Sequence, residues 1–461
     1  MTKINQKFQD LKKKKIPFRT TQVIAVGFLL IILTGACLLT LPIATKAGTA
    51  TSFIDALFTA TTATCVTGLV VFDTYSHWNV FGQLIILALI QIGGLGFMTV
   101  GTLFSLALRR RVSFRQRMLM SESLALDTSS TSGVVRITRH VLLGTLMFEG
   151  LGAAILAVRF IPDYGFAQGL YMGIFHSISA FCNAGIDVMG IYQPFSSLTS
   201  YAQDWIVNIT ICALIIIGGT GFFVWEDVYH ARHWRDLSMH SKLVISMNIV
   251  LVLSGTLIVF CMDFNNPGTL GPMPISSKFL ASLFMSTTSR TAGFNTVDLA
   301  QLSVTSTFIV MVLMFIGGAP GSTAGGVKTT TIGLLVFTVF AAVRGTTDVN
   351  AYGRRIDEQS IRRAITIVMI SLAVVVFGII VLSASDPHLD FDEIVFEVIS
   401  AFGTVGLTLG ITPTLSTISK LALIIIMYFG RVGIFTIMMS LTVKGLSQNT
   451  SIRLPRGKIL I

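Results

Sequence analysis

Apolar residues run along this chain in long stretches separated by short polar ones, and eight stretches approach the ~20 residues a helix needs to cross a bilayer. They cover residues 23–41, 80–108, 141–158, 205–225, 243–262, 307–343, 364–384 and 421–443. Between the two members of each successive pair lies a shorter apolar segment, rich in hydroxyls and small residues, that ends in glycine and one more apolar residue. These segments are 58–69 (FTATTATCVTGL), 175–186 (FHSISAFCNAGI), 283–294 (LFMSTTSRTAGF) and 396–407 (FEVISAFGTVGL). They are too short to cross, so each predicts a half-helix that enters the membrane and turns back.

The pattern repeats with a period. Gly68, Gly185, Gly293 and Gly406 are separated by 117, 108 and 113 residues. A second glycine cluster follows each of them at offsets of 25, 33, 24 and 24, namely Gly93-Gly94-Leu95-Gly96, Gly218-Gly219-Thr220-Gly221, Gly317-Gly318-Ala319-Pro320-Gly321 and Gly430-Arg431-Val432-Gly433. The repeating unit is therefore a whole span, half-helix, span module. The predicted fold is an all-α integral membrane protein with four such modules in pseudo-fourfold array around one central pore. Its boundaries fall at a basic tail 1–20, repeats over 21–108, 109–230 (with the preceding loop), 231–345 and 346–445, and a tail 446–461.

Composition agrees: 461 residues are 52% hydrophobic and 12% charged, where soluble domains hold about a quarter charged residues. The net charge of +11 is not a nucleic-acid signature, because 26 of the 33 Lys and Arg fall on alternate loops. That asymmetry marks the cytoplasmic face of a multi-pass cell-membrane protein with both termini inside, so the half-helices enter from outside. The patches 109–117 and 354–363 are available to an acidic partner or to anionic membrane lipid. Cys37, Cys65, Cys182, Cys212 and Cys261 lie in apolar segments without metal-ligand spacing and read as small buried residues. The LTGAC stretch ending at Cys37 imitates a lipoprotein cleavage site, but the charged tail ahead of it favours an uncleaved helix.

Non-helical backbone at membrane depth survives only where protein or an aqueous cavity satisfies it. Four glycine-ended turns around one axis can point carbonyls inward, and a ring of carbonyl oxygens can replace the hydration shell of a monovalent cation. The C-terminal end of each half-helix adds partial negative charge. The candidate ion-binding residues are Val66, Thr67 and Gly68; Asn183, Ala184 and Gly185; Thr291, Ala292 and Gly293; and Thr404, Val405 and Gly406. Ser52 with Asp55, and Asp390 with Glu393, have capping-box spacing. Ordinary packing glycines would explain one such segment but not four in register.

These four triplets, with Leu69, Ile186, Phe294 and Leu407 behind them, resemble the filter segments of the Trk/Ktr/HKT superfamily of potassium transporters, and most closely its Ktr-type membrane subunit. The likeness covers essentially the whole chain. It implies K+ translocation selected by four filter glycines, often with Na+ dependence, and a homodimer with one pore per protomer. It also implies docking on a cytoplasmic ring of RCK-type regulatory subunits, which would carry the nucleotide; no covalent cofactor is expected.

The sixth apolar stretch, 37 residues from 307 to 343, would make a ~55 Å helix and has to break. The break is written as Gly317, Gly318, Ala319, Pro320, Gly321, Ser322, Thr323, Ala324, Gly325, Gly326, Val327, Lys328 and Thr329, with Thr330 and Thr331. A phosphate-binding loop fails on spacing, since Val327 separates Gly326 from Lys328, and a membrane helix replaces the required strand. The family resemblance makes this stretch an intramembrane gating loop under the filter. Arg431 stands where the other modules carry Gly94, Gly219 and Gly318. A charge at mid-helix needs partners. Arg431 reads either as a packing arginine holding loop carbonyls or, in addition, as a gate residue beside the ion path.

Glu149, inside the third span, is expected to pair with an arginine, and Arg290 to brace the third filter segment. His140, His176, His230, His233 and His240 read as loop or helix-end residues. An enzyme is not expected, because no metal motif, nucleophile elbow or carboxylate pair is present. The alternative class is a sodium-coupled secondary symporter with ion sites at broken helices, which predicts inverted repeats, whereas these four share one direction.

Overall fold

The computed structural model describes residues 20–96 and 134–433. Most of the basic tail 1–20, the loop from 109 to 133 with its patch 109–117, the span ends 97–108 and 434–443, and the tail 446–461 lie outside the described residues. The described chain is mostly helical. In order it forms α1 (Thr20–Leu39), α2 (Phe53–Cys65), the single turn α3 (Thr74–His77) and α4 (Val80–Leu95). Next come α5 (Val134–Tyr164), α6 (Phe166–Phe181), α7 (Trp205–Thr220) and α8 (Phe222–His230). Then follow α9 (Met239–Met262), α10 (Ile275–Thr288), α11 (Val304–Phe315), α12 (Thr329–Val343), a hairpin of β1 (Asn350–Ala351) and β2 (Arg354–Arg355), α13 (Glu358–Ser385), α14 (Phe391–Gly403) and α15 (Thr417–Val432).

Among the described residues α1, α5, α9 and α13 are each long and apolar enough to cross a membrane, and α7 with α8 makes a fifth candidate bent by 93°. Their outward faces carry exposed Leu30, Leu253, Leu257, Met369 and Phe377. Such apolar surface is stable against lipid and not against water. This is a membrane protein.

The helices α4, α7, α11 and α15 are shorter than the expected spans. The run 205–225 breaks after Thr220, and α4 and α15 stop at Leu95 and Val432. At α4, α7 and α15 the cause lies in the last glycine of the cluster, whereas α11 ends at Phe315, ahead of its cluster. Gly96, Gly221, Gly321 and Gly433 all have positive φ, between 64° and 97°, a conformation that no continuing right-handed helix contains. The first glycines do a different job. A Cβ built on Gly93, Gly218 or Gly430 would lie 2.0, 2.0 and 2.1 Å from the carbonyl oxygens of Thr64, Phe181 and Phe402. These helices therefore cross the ends of α2, α6 and α14 at backbone contact, which only glycine permits.

The short helices α2, α6, α10 and α14 are buried along most of their length, with Phe58, Phe175 and Phe396 fully enclosed ten residues before Gly68, Gly185 and Gly406. Asp390 and Glu393 form the full capping box at α14. At α2 the box is half formed: Ser52 accepts from the Asp55 amide, while the Asp55 carboxylate takes the Ser52 hydroxyl and the Lys420 amine of α15 at 2.8 Å. That ion pair ties the first quarter of the chain to the last. Cys65, Cys182 and Cys212 are buried as expected, but Cys37 and Cys261 are exposed, because they fall on the outward faces of α1 and α9.

Candidate functional site

Each short helix ends the same way. Val66, Asn183, Thr291 and Thr404 leave it at φ of 57°, 60°, 71° and 50°, and the glycine two residues later is again at positive φ. Four non-glycine residues in the left-handed region cost on the order of 1 kcal/mol each, so the surroundings must hold them there. The amides of Thr67, Ala184, Ala292 and Val405 turn back to the carbonyls of Thr62, Ser179, Thr288 and Ser400 at 2.8 to 2.9 Å. Hydroxyls complete the brace. Thr62 Oγ1 and Ser400 Oγ accept from the Gly68 and Gly406 amides, while Ser179 and Thr288 donate to the carbonyls of Ile186 and Phe294. These four residues were not singled out by the sequence reading. Their signal was available, since Thr62, Ser179 and Ser400 each stand six residues before their glycine.

The four segments meet. A Cβ on Gly68 would lie 2.5 Å from Ala184 O, one on Gly185 2.4 Å from Ala292 O, one on Gly293 2.4 Å from Val405 O, and one on Gly406 2.2 Å from Thr67 O. Each glycine is thus pressed against the carbonyl of the next segment, and the fourth returns to the first. All twelve residues of the four triplets are at most 1% exposed or glycine at the contact. The segments thus form a closed ring of backbone. Thr67 Oγ1 and Thr404 Oγ1 find no hydrogen-bond partner among the described residues.

On one side of the ring is a cavity of about 250 Å³ lined by Gly293, Asn295, Asp298, Gly406 and Thr408. On the other lies a cavity of about 300 Å³ lined by Gly93, Gly96, Pro320, Gly326, Lys328, Ser371 and Arg431. Between the ring and this second cavity runs the expected break, which the structure places after Phe315 and before Thr329. Gly317 N and Thr329 N donate to Val327 O and Gly318 O, closing the loop on itself at 2.8 and 3.0 Å. Ala319 N and Thr323 N donate to Gly219 O and Gly218 O, at the broken end of α7. Thr323 Oγ1 donates to Phe181 O at 3.1 Å, and a Cβ on Gly325 would strike the Thr404 side chain. The loop therefore lies directly beneath the second and fourth segments. Ser322 Oγ donates to Ala319 O, and Lys328 Nζ to Ala324 O at 2.7 Å.

Arg431 is the loop's charged anchor. Its guanidinium donates through Nη1 to Thr323 O, and through Nη2 to Gly93 O and Gly94 O. It spends a half-buried charge on three carbonyls and no carboxylate. The packing role is thus present in the geometry, and its partners include the loop.

Other expectations turn out differently. Glu149 accepts from the Gln91 amide on both carboxylate oxygens at 3.1 Å, and from the Cys182 thiol at 3.8 Å, instead of pairing with an arginine, because α4 presents Gln91 to α5 at that level. Arg290 is buried, and its Nε meets no partner among the described residues, so no brace is formed through that atom. His176 is not at a helix end; it lies inside α6 and is fully buried. Among the described residues no group of three or more His, Cys, Asp or Glu is placed to hold a metal ion.

The model of the TrkH cation transport protein family matches residues 4–452. The potassium/sodium uptake protein NtpJ of Enterococcus hirae is 41% identical over 456 residues, spanning 98% of this chain and 99% of that protein. The Ktr system potassium uptake protein B of Bacillus subtilis is 41% identical over 451 residues, 98% of either chain. The crystal structure of the potassium transporter TrkH from Vibrio parahaemolyticus aligns with a TM-score of 0.73 at 18% identity, over 94% of this chain and 86% of that one, a likeness of fold.

Proposed function

From the premise that the chain belongs to the TrkH family of cation transport proteins, we propose that it takes up potassium ions across the cell membrane through a channel-like pore. The observation that carries this reading is the closed ring in which each of Gly68, Gly185, Gly293 and Gly406 abuts the carbonyl of its neighbour. On this reading the four modules surround one axis and the ring is the selectivity filter. Its carbonyls stand in for the ion's water while the half-helix ends supply partial negative charge. Glycine is required because any side chain at these positions would push the carbonyls out of register. The loop from Gly317 to Thr329, held up by Arg431, obstructs the path on the inner side and acts as the gate.

Potassium and sodium both stand in the name of the Enterococcus hirae relative, which supports a sodium dependence here. The name of the Bacillus subtilis relative speaks of a system, which supports separate partner subunits. We assign these to a second copy of this chain and to a cytoplasmic RCK-type ring that carries the nucleotide, docked on the basic face that includes Arg354, Arg355, Arg362 and Arg363. Both termini then lie in the cytoplasm. A closed ring of four segments running in one direction favours this pore over a symporter built from inverted repeats.

The test is rubidium tracer uptake into proteoliposomes of the purified chain, with potassium or sodium as competitor, for the wild type and Gly406→Ser. Potassium is expected to compete far better than sodium in the wild type, and the substitution to narrow the gap. Equal competition by sodium, or an unchanged ratio in folded Gly406→Ser, removes the ring from the role of filter.

A further inference from the structure

The position nine residues before each ring glycine is occupied by Thr59, His176, Phe284 and Glu397, and all four side chains are buried. At this register a side chain stands behind the ring, level with the chain that climbs away from it. In the second module His176 Nδ1 bonds Met172 O at 2.7 Å, and Nε2 faces the amide of Val188, three residues past Gly185, at 3.5 Å. One nitrogen donating and one accepting describes a neutral ring. Thr59 spends its hydroxyl on Asp55 O within its own helix.

Glu397 differs from the other three. It is fully buried, and its two oxygens each accept a hydroxyl, Oε2 from Thr408 at 2.7 Å and Oε1 from Thr412. Thr408 stands two residues past Gly406, lines the cavity of about 250 Å³ above the ring, and accepts from Gly410 N at 3.0 Å. Both partners are hydroxyls, which can donate to an ionised carboxylate. Among the described residues Glu397 forms no ion pair. A buried carboxylate that is solvated by hydroxyls but not neutralised is costly to keep. Its field extends through low-dielectric protein toward the cavity lined by Gly293, Gly406 and Thr408.

We propose that Glu397 sets the affinity of the outer entrance for cations. It is a positioning residue that touches no ion. It holds Thr408 and the turn to Gly410 at the lip of the fourth segment and places one fixed negative charge behind it. The inference rests on the reading of the ring as the filter and adds, at this register, a carboxyl that the other three modules lack.

Initial rubidium uptake by the purified full-length chain in proteoliposomes, over a concentration series, separates the outcomes. Glu397→Gln keeps size and shape but removes the charge. It is expected to raise KM about tenfold, the equivalent of ~1.4 kcal/mol, with Vmax within about twofold, and Glu397→Asp is expected to recover part of the loss. A folded Glu397→Gln protein with unchanged KM, or with Vmax alone reduced, overturns the proposal. Should that variant fail to fold, Thr412→Val withdraws one of the two donors at nearly constant volume. A raised KM then supports the proposal and an unchanged KM overturns it. Gly406→Ser, run in parallel, distinguishes the two readings. If it alters potassium against sodium competition while Glu397→Gln leaves KM alone, only this proposal falls; if it alters nothing, the filter reading falls and takes this proposal with it.

Discussion

Replacing Arg431 by glutamine tests whether the loop is a gate held shut by a definable set of bonds. The guanidinium reaches across 108 positions to Thr323 O on the loop, and across 338 and 337 to Gly93 O and Gly94 O on α4. Only the first of these bonds ties the loop. A hydrogen bond from a charged donor contributes about 1.5–3 kcal/mol net, so its loss weakens the seated loop by about 10- to 150-fold in the ratio of seated to released forms. The remaining anchors keep it from leaving outright, namely the amides of Ala319 and Thr323 on Gly219 O and Gly218 O and the Thr323 hydroxyl on Phe181 O. Rubidium uptake by Arg431→Gln should therefore rise by roughly an order of magnitude, and potassium against sodium competition should stay as in the wild type, since the ring is untouched. A variant shortened between Gly317 and Lys328 removes every anchor at once and sets the ceiling. Arg431→Lys separates the bond from the charge, because an ammonium keeps the charge but cannot fork to the loop and to α4. Anchoring predicts uptake between wild type and Arg431→Gln, whereas a purely electrostatic barrier predicts wild-type uptake. Unchanged or lower flux in a folded, assembled Arg431→Gln protein refutes the reasoning.

The backbone contact at Gly218 is testable by stability. Alanine there would set its Cβ 2.0 Å from Phe181 O, and overpacking of this kind costs about 1–3 kcal/mol or more. Gly218→Ala should lower the thermal midpoint in detergent by several degrees or prevent recovery of folded protein, while Gly150→Ala, which meets nothing within 4 Å, should leave it unchanged. Equal midpoints would show that the helices yield without cost. A pH dependence should come from His77, the last residue of the single-turn α3, whose ring contacts Thr51 Oγ1 at 3.0 Å. Burial lowers its pKa below the usual 6.5, against the opposing pull of Asp55. The folded state thus favours the neutral ring, so this stabilisation is complete above pH 6.5 and is lost as the pH falls through the depressed value. The wild-type midpoint should drop on acidification below about 6.5, and His77→Gln should drop less. Parallel curves would exclude His77 as the source.

Much of this molecule is written along the chain. Spans announce themselves by length and hydropathy, because a bilayer rewards apolar surface wherever it occurs along the chain. The period separating Gly68, Gly185, Gly293 and Gly406, and the break that 37 apolar residues force, are likewise one-dimensional facts. What spacing could not say is which groups meet. That Gly406 closes on Thr67 O, that Gly93 clasps Thr64 O while Gly96 ends its helix, and that Arg431 answers to loop and helix carbonyls all depend on how helices cross. Glu149 found a glutamine instead of an arginine for the same reason, and His176 and Glu397, ordinary in sequence, became buried groups behind the ring. Hydropathy acts residue by residue and survives in the string of letters. Hydrogen bonds and backbone contacts act over a few ångström between residues hundreds of positions apart, so only the packed structure decides them.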